Sequence, residues 1–216
     1  MRLQPRTRPL SAAEKRLLSA RARALRTRQA GPRRLVLLTA AVVGLLWVVT
    51  LLGSDAPPWV ITLFWLIIGS GLVLWLWREE RGNAAHIRTQ AQQLESAIQR
   101  AEAEVFDFAA RGFVEFEEVE DEGACYAFDL GNGTLAFVVG QQFYPASQFP
   151  SLDFSLVYPL DGSGDSADEL IDKRGPKATP VRVIPGSVKL RLEIPEHLAL
   201  IRGSVEQIEE ALAVQP

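Results

Sequence analysis

Two uninterrupted apolar runs dominate the pattern along the chain, 35–53 (LVLLTAAVVGLLWVVTLLG) and 59–77 (WVITLFWLIIGSGLVLWLW). Each is nineteen residues long and carries no charged side chain. At the helical rise each reaches ~28 Å, close to the thickness of a bilayer's hydrocarbon core. Both are apolar on every side, whereas a helix lying on a soluble core keeps a polar stripe. The pattern predicts a transmembrane α-helical hairpin over 35–77, with 54–58 (SDAPP) as a tight loop whose prolines stop one helix before the next begins. A cleaved signal peptide does not fit, because the leader is 34 residues long, the apolar run is too long and Pro57 stands at the would-be cleavage point. Trp59, Trp75 and Trp77 fall at the two ends of the second span, where an aromatic belt sits. Inside the spans the polar side chains are Thr39, Thr50, Thr62 and Ser70, each able to bond back to its own helix. No ionisable group lies there to carry a proton or an ion, which argues against a transporter. Ala40, Gly44, Gly69 and Gly71 permit close approach of two helices.

The flanks read differently. Residues 1–34 form a basic arm, loose around Pro5 and Pro9 and then helical from Ser11, which has capping-box spacing to Glu14. Leu10, Leu17, Leu18 and Leu25 give this helix a thin apolar face. Over 78–111 a connecting helix is expected, with Gly82-Asn83 as a hinge just outside the membrane. From 84 to 108 apolar residues recur at steps of three and four: Ala84, Ile87, Ala91, Leu94, Ile98, Ala101, Val105, Phe108. That is a heptad pattern. Its seam (Ile87, Leu94, Ile98, Val105 and Phe108) predicts either a homo-oligomer stalk or a helix packed against the domain that follows, and the pattern does not choose between them.

After Gly112 the period changes from 3.6 to 2. Val114 and Phe116 alternate with Glu115 and Glu117, and Tyr126, Phe128 and Leu130 share a face. Asn132-Gly133 then turns the chain into 135–139, a strong hairpin signal. Further strands are expected at 152–158 and at 188–194, with shorter ones at 181–184 and 198–201. Ser204 and Gln207 open a closing helix over 204–214. The expected fold class is therefore a membrane helical hairpin plus an α+β domain over 112–216, a small antiparallel barrel or sandwich with a carboxy-terminal helix. This strand order resembles a pleckstrin-homology-like barrel, a resemblance of topology that implies fold alone. The Gly-, Asp- and Lys-rich stretch 161–180 is expected to be a mobile connection.

Charge changes the picture more than composition does. The net charge of −3 is a cancellation between +10 before Leu35 and −12 from Arg78 onward, with Asp55 supplying the remainder. Arg21, Arg23, Arg26, Arg28, Arg33 and Arg34 before the first span, with Arg78 and Arg81 after the second, are the candidate membrane-surface contacts. Their distribution predicts a multi-pass protein of the plasma or inner membrane with both termini cytoplasmic. Basic groups beside an anionic surface each gain about 1 kcal/mol. An acidic protein is the other occupant such an arm fits. Nucleic acid fits poorly, because the arm has no aromatic side chain to stack on bases.

Candidate chemistry is sparse. The sequence holds no phosphate loop, nucleophile elbow, zinc-protease motif or paired cysteines. His86 and His197 are expected at the surface, and Cys125 as a half-buried inert thiol. The run Asp161-Gly-Ser-Gly-Asp165 hints at an oxygen cage but places Ser166 and Asp172 where a calcium loop needs Gly and Glu, so a solvated loop is expected. The acidic run 117–122 reads as a charged hairpin end that discourages edge pairing. No catalytic, cofactor-binding or metal-binding residue is predicted. The expected function is a non-enzymatic, membrane-anchored interaction or scaffold module with a cytoplasmic protein partner. The alternatives are a lipid or small-ligand domain, for which Lys173, Arg174 and Lys177 would supply a basic patch, and a tethered enzyme using carboxylates.

Overall fold

The computed structural model describes residues 1–28, 32–54, 56–146 and 148–213, without the side chains at 28, 32–35 and 80. The chain divides into a helical unit, Leu10–Ala101 with Leu160–Ala167, and a β unit, Met1–Pro9 with Glu102–Pro159 and Asp168–Pro216.

In the helical unit α1 (Ala12–Arg28) starts at the expected capping box: Ser11 N–H donates to Glu14 Oε2 at 2.7 Å, and Glu14 N–H donates to Ser11 Oγ at 3.3 Å. The next two helices, α2 (Pro32–Gly53) and α3 (Pro58–Arg100), pack as a hairpin, and both are long and apolar enough to cross a membrane. Pro57 caps α3 and Pro58 begins it, a position where a missing N–H costs nothing. The indole N–H of Trp65 donates to Thr50 Oγ1 at 2.8 Å, and that of Trp47 to Thr62 Oγ1 at 3.4 Å, tying the two helices together. Large apolar side chains such as Leu37, Leu52, Leu66 and Trp75 lie exposed along both.

No hinge forms at Gly82-Asn83; α3 continues through it as one helix. A mid-helix glycine costs about 1 kcal/mol relative to alanine, too little to break a helix whose neighbours are good helix formers. The helix ends where Ala101 turns left-handed, with φ 59°, and its N–H donates to Ala97 O at 2.9 Å. Along the heptad seam Ala91 and Leu94 are buried and Ile87 and Ile98 partly so, and Ala97, off the seam, is buried as well. The covering element is α1, which runs antiparallel to α3: Leu10 N–H donates to Ala101 O at 2.8 Å, and Arg26 pairs with Glu95 at 2.5 Å. Leu18 and Ala22 form the buried face of α1.

The β unit has two sheets. One has the order β1 (Arg6–Pro9), β2 (Glu102–Ala109), β6 (Asp153–Pro159), β7 (Leu170–Lys173), all antiparallel. The other has the order β8 (Arg182–Ile184), β3 (Gly112–Phe116), β4 (Ala124–Gly131), β5 (Thr134–Gly140), β9 (Leu200–Arg202), with only β8 parallel to its neighbour. The expected hairpin turn is present: Asn132 and Gly133 take φ of 54° and 65°, the pair of positive values that a two-residue turn matching the sheet twist requires.

Alternation distributes the side chains. On β4, Ala124, Tyr126 and Phe128 face an aromatic core shared with Phe106, Phe108, Phe113 and Phe154, while Cys125 and Ala127 face the opposite side. There Val114, Phe116, Leu135 and Phe137 meet α5 (Ile208–Ala213) through Ile208 and Leu212. The five-stranded sheet is thus buried on both faces. No barrel closes; the structure is α+β, with two open sheets.

Several expectations are corrected here. Val105 and Phe108 lie on β2 rather than on a helix, because after Ala101 the sequence also alternates with period two, and Phe106, paired with Leu156, joins Phe108, paired with Phe154, in the core. The segment 188–194 is not a strand. It begins as α4 (Gly186–Lys189), with Val188, Leu192 and Ile194 against the core and Leu190 left 69% exposed. Besides β2, two strands the pattern did not announce are β1, in the basic arm, and β7, inside the stretch expected to be mobile. The compact β unit accordingly takes in Met1–Pro9 and begins again at Glu102 rather than at 112. The end of the closing helix, at Val214, lies outside the described residues.

Candidate functional site

A polar constellation in the β unit gathers residues from both of its sheets. Tyr158 comes from the end of β6, Glu169 from the residue before β7, and His197 from the turn leading into β9. Gln142 and Phe143 belong to a 3-10 turn, Gln141–Phe143, that follows β5. Val139, on β5, donates its main-chain N–H to His197 Nδ1 at 3.2 Å. A nitrogen that accepts this bond carries no proton, so the neutral imidazole holds its proton on Nε2. His197 Nε2 stands 2.7 Å from the Tyr158 hydroxyl, which donates in turn to Glu169 Oε1. Gln142 Nε2 donates to the other carboxylate oxygen at 2.6 Å. The Phe143 ring stacks on the imidazole with centroids 5.1 Å apart, and Phe106 meets the Tyr158 ring edge-on.

Electrostatics follow from this geometry. Burial pushes the Tyr158 phenol well above its ordinary value, and the Glu169 carboxylate at its hydroxyl adds to the rise. Burial disfavours the charge on Glu169, but hydrogen bonds from His197, Tyr158 and Gln142 outweigh it and hold the carboxyl below its usual range. The side chains of His197 and Glu169 are 26% and 15% exposed, so the cluster is open to solvent protons through its imidazole edge. Chemically it is a short chain of shared protons, Nε2–H to phenol to carboxylate, joining strands of both sheets.

The predicted site residues are placed as follows. Arg21, Arg23 and Arg26 are exposed on α1, and Arg26 is engaged by Glu95. The side chains of Arg28, Arg33 and Arg34 lie outside those described. Arg78 is exposed on α3, where Arg81 lays its guanidinium 3.5 Å from the centre of the Trp77 ring. His86 is exposed on the same helix beside Gln90. His197 is half-buried, packed against Phe143, Tyr158 and Glu169, rather than freely exposed. Cys125 is fully buried, and burial pushes its thiol up to about 12, with Glu122 adding to the rise and Lys189 opposing it. Lys189, 5% exposed, is paired with Glu122 at 2.6 Å. Arg174, offered as part of a basic patch with Lys173 and Lys177, is taken up by Asp153 at 2.8 Å and Asp107 at 3.4 Å.

The Asp161 loop is organised around the Asp161 carboxylate. Asp161 Oδ1 accepts the main-chain N–H groups of Ser163, Gly164 and Asp165 and the Ser163 hydroxyl. Those bonds, led by the Ser163 hydroxyl, hold its carboxyl below its ordinary value. Arg100 and Ser96 of α3 bind the same loop at Asp161 O and Gly162 N–H. Sequence reasoning missed the His197 cluster because its members are spread from 142 to 197 at no spacing that any motif shares. No known protein family, curated protein or solved structure matches the chain.

Proposed function

We propose that this chain is a membrane-anchored interaction module, in which a bilayer-spanning helical hairpin holds a β unit at the cytoplasmic face for a protein partner. The observation that carries the reading is the pairing of β1 with β2. These strands lie on either side of the hairpin in sequence, and their antiparallel register from Arg6–Val105 to Pro9–Glu102 supports a reading in which both flanks lie on one side of a bilayer. Two helices with large apolar side chains exposed to their surroundings support the anchor, because burial of such surface is worth about 25 cal/mol per Å² and water does not supply it. The basic flanks support a cytoplasmic orientation.

The His197 cluster supports binding over catalysis. Its phenol is held neutral, its carboxylate is charged and saturated with donors, and its imidazole is bonded through both nitrogens. None of the three is poised as a base or nucleophile with a free face. The test is to purify the full-length protein from its native membrane in mild detergent. Retention in the bilayer after alkaline carbonate washing, with a stoichiometric protein bound, is the expected result. Release by carbonate, or turnover of a substrate abolished by His197→Gln, contradicts the reading.

One observation favours a second reading, a small-ligand site. A groove of about 630 Å³ lies between β9 and α5, lined by Leu200, Ile201, Gln207, Glu210 and Ala211 together with Met1. That volume is within the range of ligand sites. Copurification of a small molecule in place of a protein is the result that selects it.

A further inference from the structure

We infer that the outer edge of β9 is the docking strand for an extended peptide of the partner protein, with an acidic residue opposite Arg202 and an apolar residue on either side of it. This rests on the interaction-module reading and gives that reading its site. β9 ends its sheet, next to β5. Gly203 N–H donates to Gly133 O at 2.9 Å, and Phe137 N–H donates to Ala199 O at 3.0 Å. Main-chain groups alternate in direction along a strand, so Ile201 and Gly203 turn theirs toward β5 while Leu200 and Arg202 turn theirs outward. Met1–Leu3 already occupy the first part of that edge. Leu3 N–H donates to Leu198 O at 3.0 Å, Leu200 N–H donates to Met1 O at 2.6 Å, and Arg2 bridges Ala199, which lays the segment antiparallel along 198–200. Next along the edge comes Arg202, where the groove of about 630 Å³ runs between β9 and α5. An extended peptide laid there continues, in line, a pairing that the fold itself begins.

Alternation and the groove lining set the chemistry of that peptide. Ile201 points into the core beneath α5, and Leu200 packs on the aromatic core of the opposite face. Arg202 therefore lies on the face of Leu200. Its side chain is exposed and has no ion-pair partner among the described residues. A peptide residue directly across from Arg202 sets its side chain beside the guanidinium, where a carboxylate makes a favourable cross-strand pair and a basic group is repelled. The residues before and after it point the other way, over the groove, toward Gln207 and toward Glu210 and Ala211 of α5. The small Ala211 leaves room there for an apolar side chain, and the Glu210 carboxylate disfavours a second acid. In this mode of recognition main-chain bonds supply affinity and alternate side chains supply specificity. A second copy of the chain fits less well, because two β9 edges paired about a two-fold axis at this residue set one Arg202 against the other.

The test uses the register of Met1 opposite Leu200, in which a residue added immediately ahead of Met1 faces Ile201 and the one before that faces Arg202. The full-length protein is extended ahead of Met1 by Gly-Ser-Val-Asp-Val or, as a control, by Gly-Ser-Gly-Ser-Gly. Hydrogen exchange of the added segment is measured in lipid nanodiscs and corrected for intrinsic rates. The Val-Asp-Val segment is expected to be protected about tenfold over the control. Arg202→Glu is expected to remove that protection, and Val-Lys-Val on the same variant to restore it. Purified from its native membrane in mild detergent, the protein with the Val-Asp-Val extension is expected to lose the copurifying protein that the control extension retains. Equal exchange of the two extensions overturns the inference, and so does protection that Arg202→Glu leaves in place. A copurifying protein that stays bound beside a protected extension also overturns it, and leaves the interaction-module reading standing with its surface elsewhere. Displacement of a small molecule or of a second copy overturns the assignment to a partner's peptide. If no protein copurifies with the wild type, the interaction-module reading fails and this inference with it.

Discussion

Tyr126 is buried among Phe113, Phe128 and Phe149, and its hydroxyl has no hydrogen-bond partner among the described residues. Removing a polar atom that is desolvated and unpaired releases a penalty rather than losing a bond. Tyr126→Phe is therefore expected to leave the stability of the β unit unchanged or raise it by about 1 kcal/mol, as measured by denaturant unfolding. Clear destabilisation would reveal a bonded water at that hydroxyl. Acid acts through other residues. The Ser155 hydroxyl, at 2.6 Å, and the charges of Arg6 and Arg174 hold the Asp107 carboxyl below its ordinary value against partial burial, and Glu169 is likewise held low. A carboxyl depressed in the folded state stabilises fully above its unfolded value and loses that contribution as pH falls through the folded value. Melting temperature is thus expected to drop as pH falls below about 4, and Asp107→Asn should show a shallower drop. These residues mark the limit of sequence reading. Asp107, Ser155 and Arg174 become neighbours only through the β2–β6–β7 register, as do Tyr158, Glu169 and His197 through the meeting of two sheets. Nothing local distinguishes them from solvated side chains. The full burial of Cys125 was not legible, because alternation puts it opposite Tyr126 and Phe128 and only the packing of α5 covers that face.

At the scale of elements, the crossing of α2 and α3 depends on one glycine. A Cβ built on Gly69 comes 2.5 Å from Val43 Cγ1, on a stiff β-branched side chain, while one on Gly71 meets nothing within 4 Å. Gly69→Leu is expected to separate the helices and lower the melting temperature in detergent by several degrees, and Gly71→Leu to leave it unchanged. Equal effects would place the close approach elsewhere. The apolar runs and the Asn132-Gly133 hairpin were legible because a single period holds across each of them. The region 101–109 was not, because Val105 and Phe108 continue the heptad while Phe106 and Phe108, flanking Asp107, also alternate with period two. What decides between them is a tertiary event, the docking of Phe106 and Phe108 on the aromatic core. The α3 seam was legible as a packing surface, but its partner α1 lies more than sixty residues upstream, beyond any periodicity argument. Leu94→Asp, which buries a carboxylate in that seam, is expected to detach α1 and expose it to limited proteolysis, while the β unit remains resistant.

For the whole molecule the central proposal concerns sidedness: the amino-terminal strand and the carboxy-terminal β unit are proposed to share one face of a bilayer, with the short loop at Ser54 reaching the other. The burial of Cys125 makes this directly measurable, because the native thiol is expected to stay unlabelled in the folded protein. Single cysteines are introduced at exposed positions as Gln4→Cys, Ser187→Cys and Ser54→Cys, and each variant is treated with a membrane-impermeant maleimide in sealed vesicles of both orientations. The predicted result is that positions 4 and 187 label together from one side and position 54 only from the other. Labelling of 4 and 187 from opposite sides would contradict the β1–β2 pairing in the membrane, and labelling of all three from one side would contradict the spanning hairpin itself.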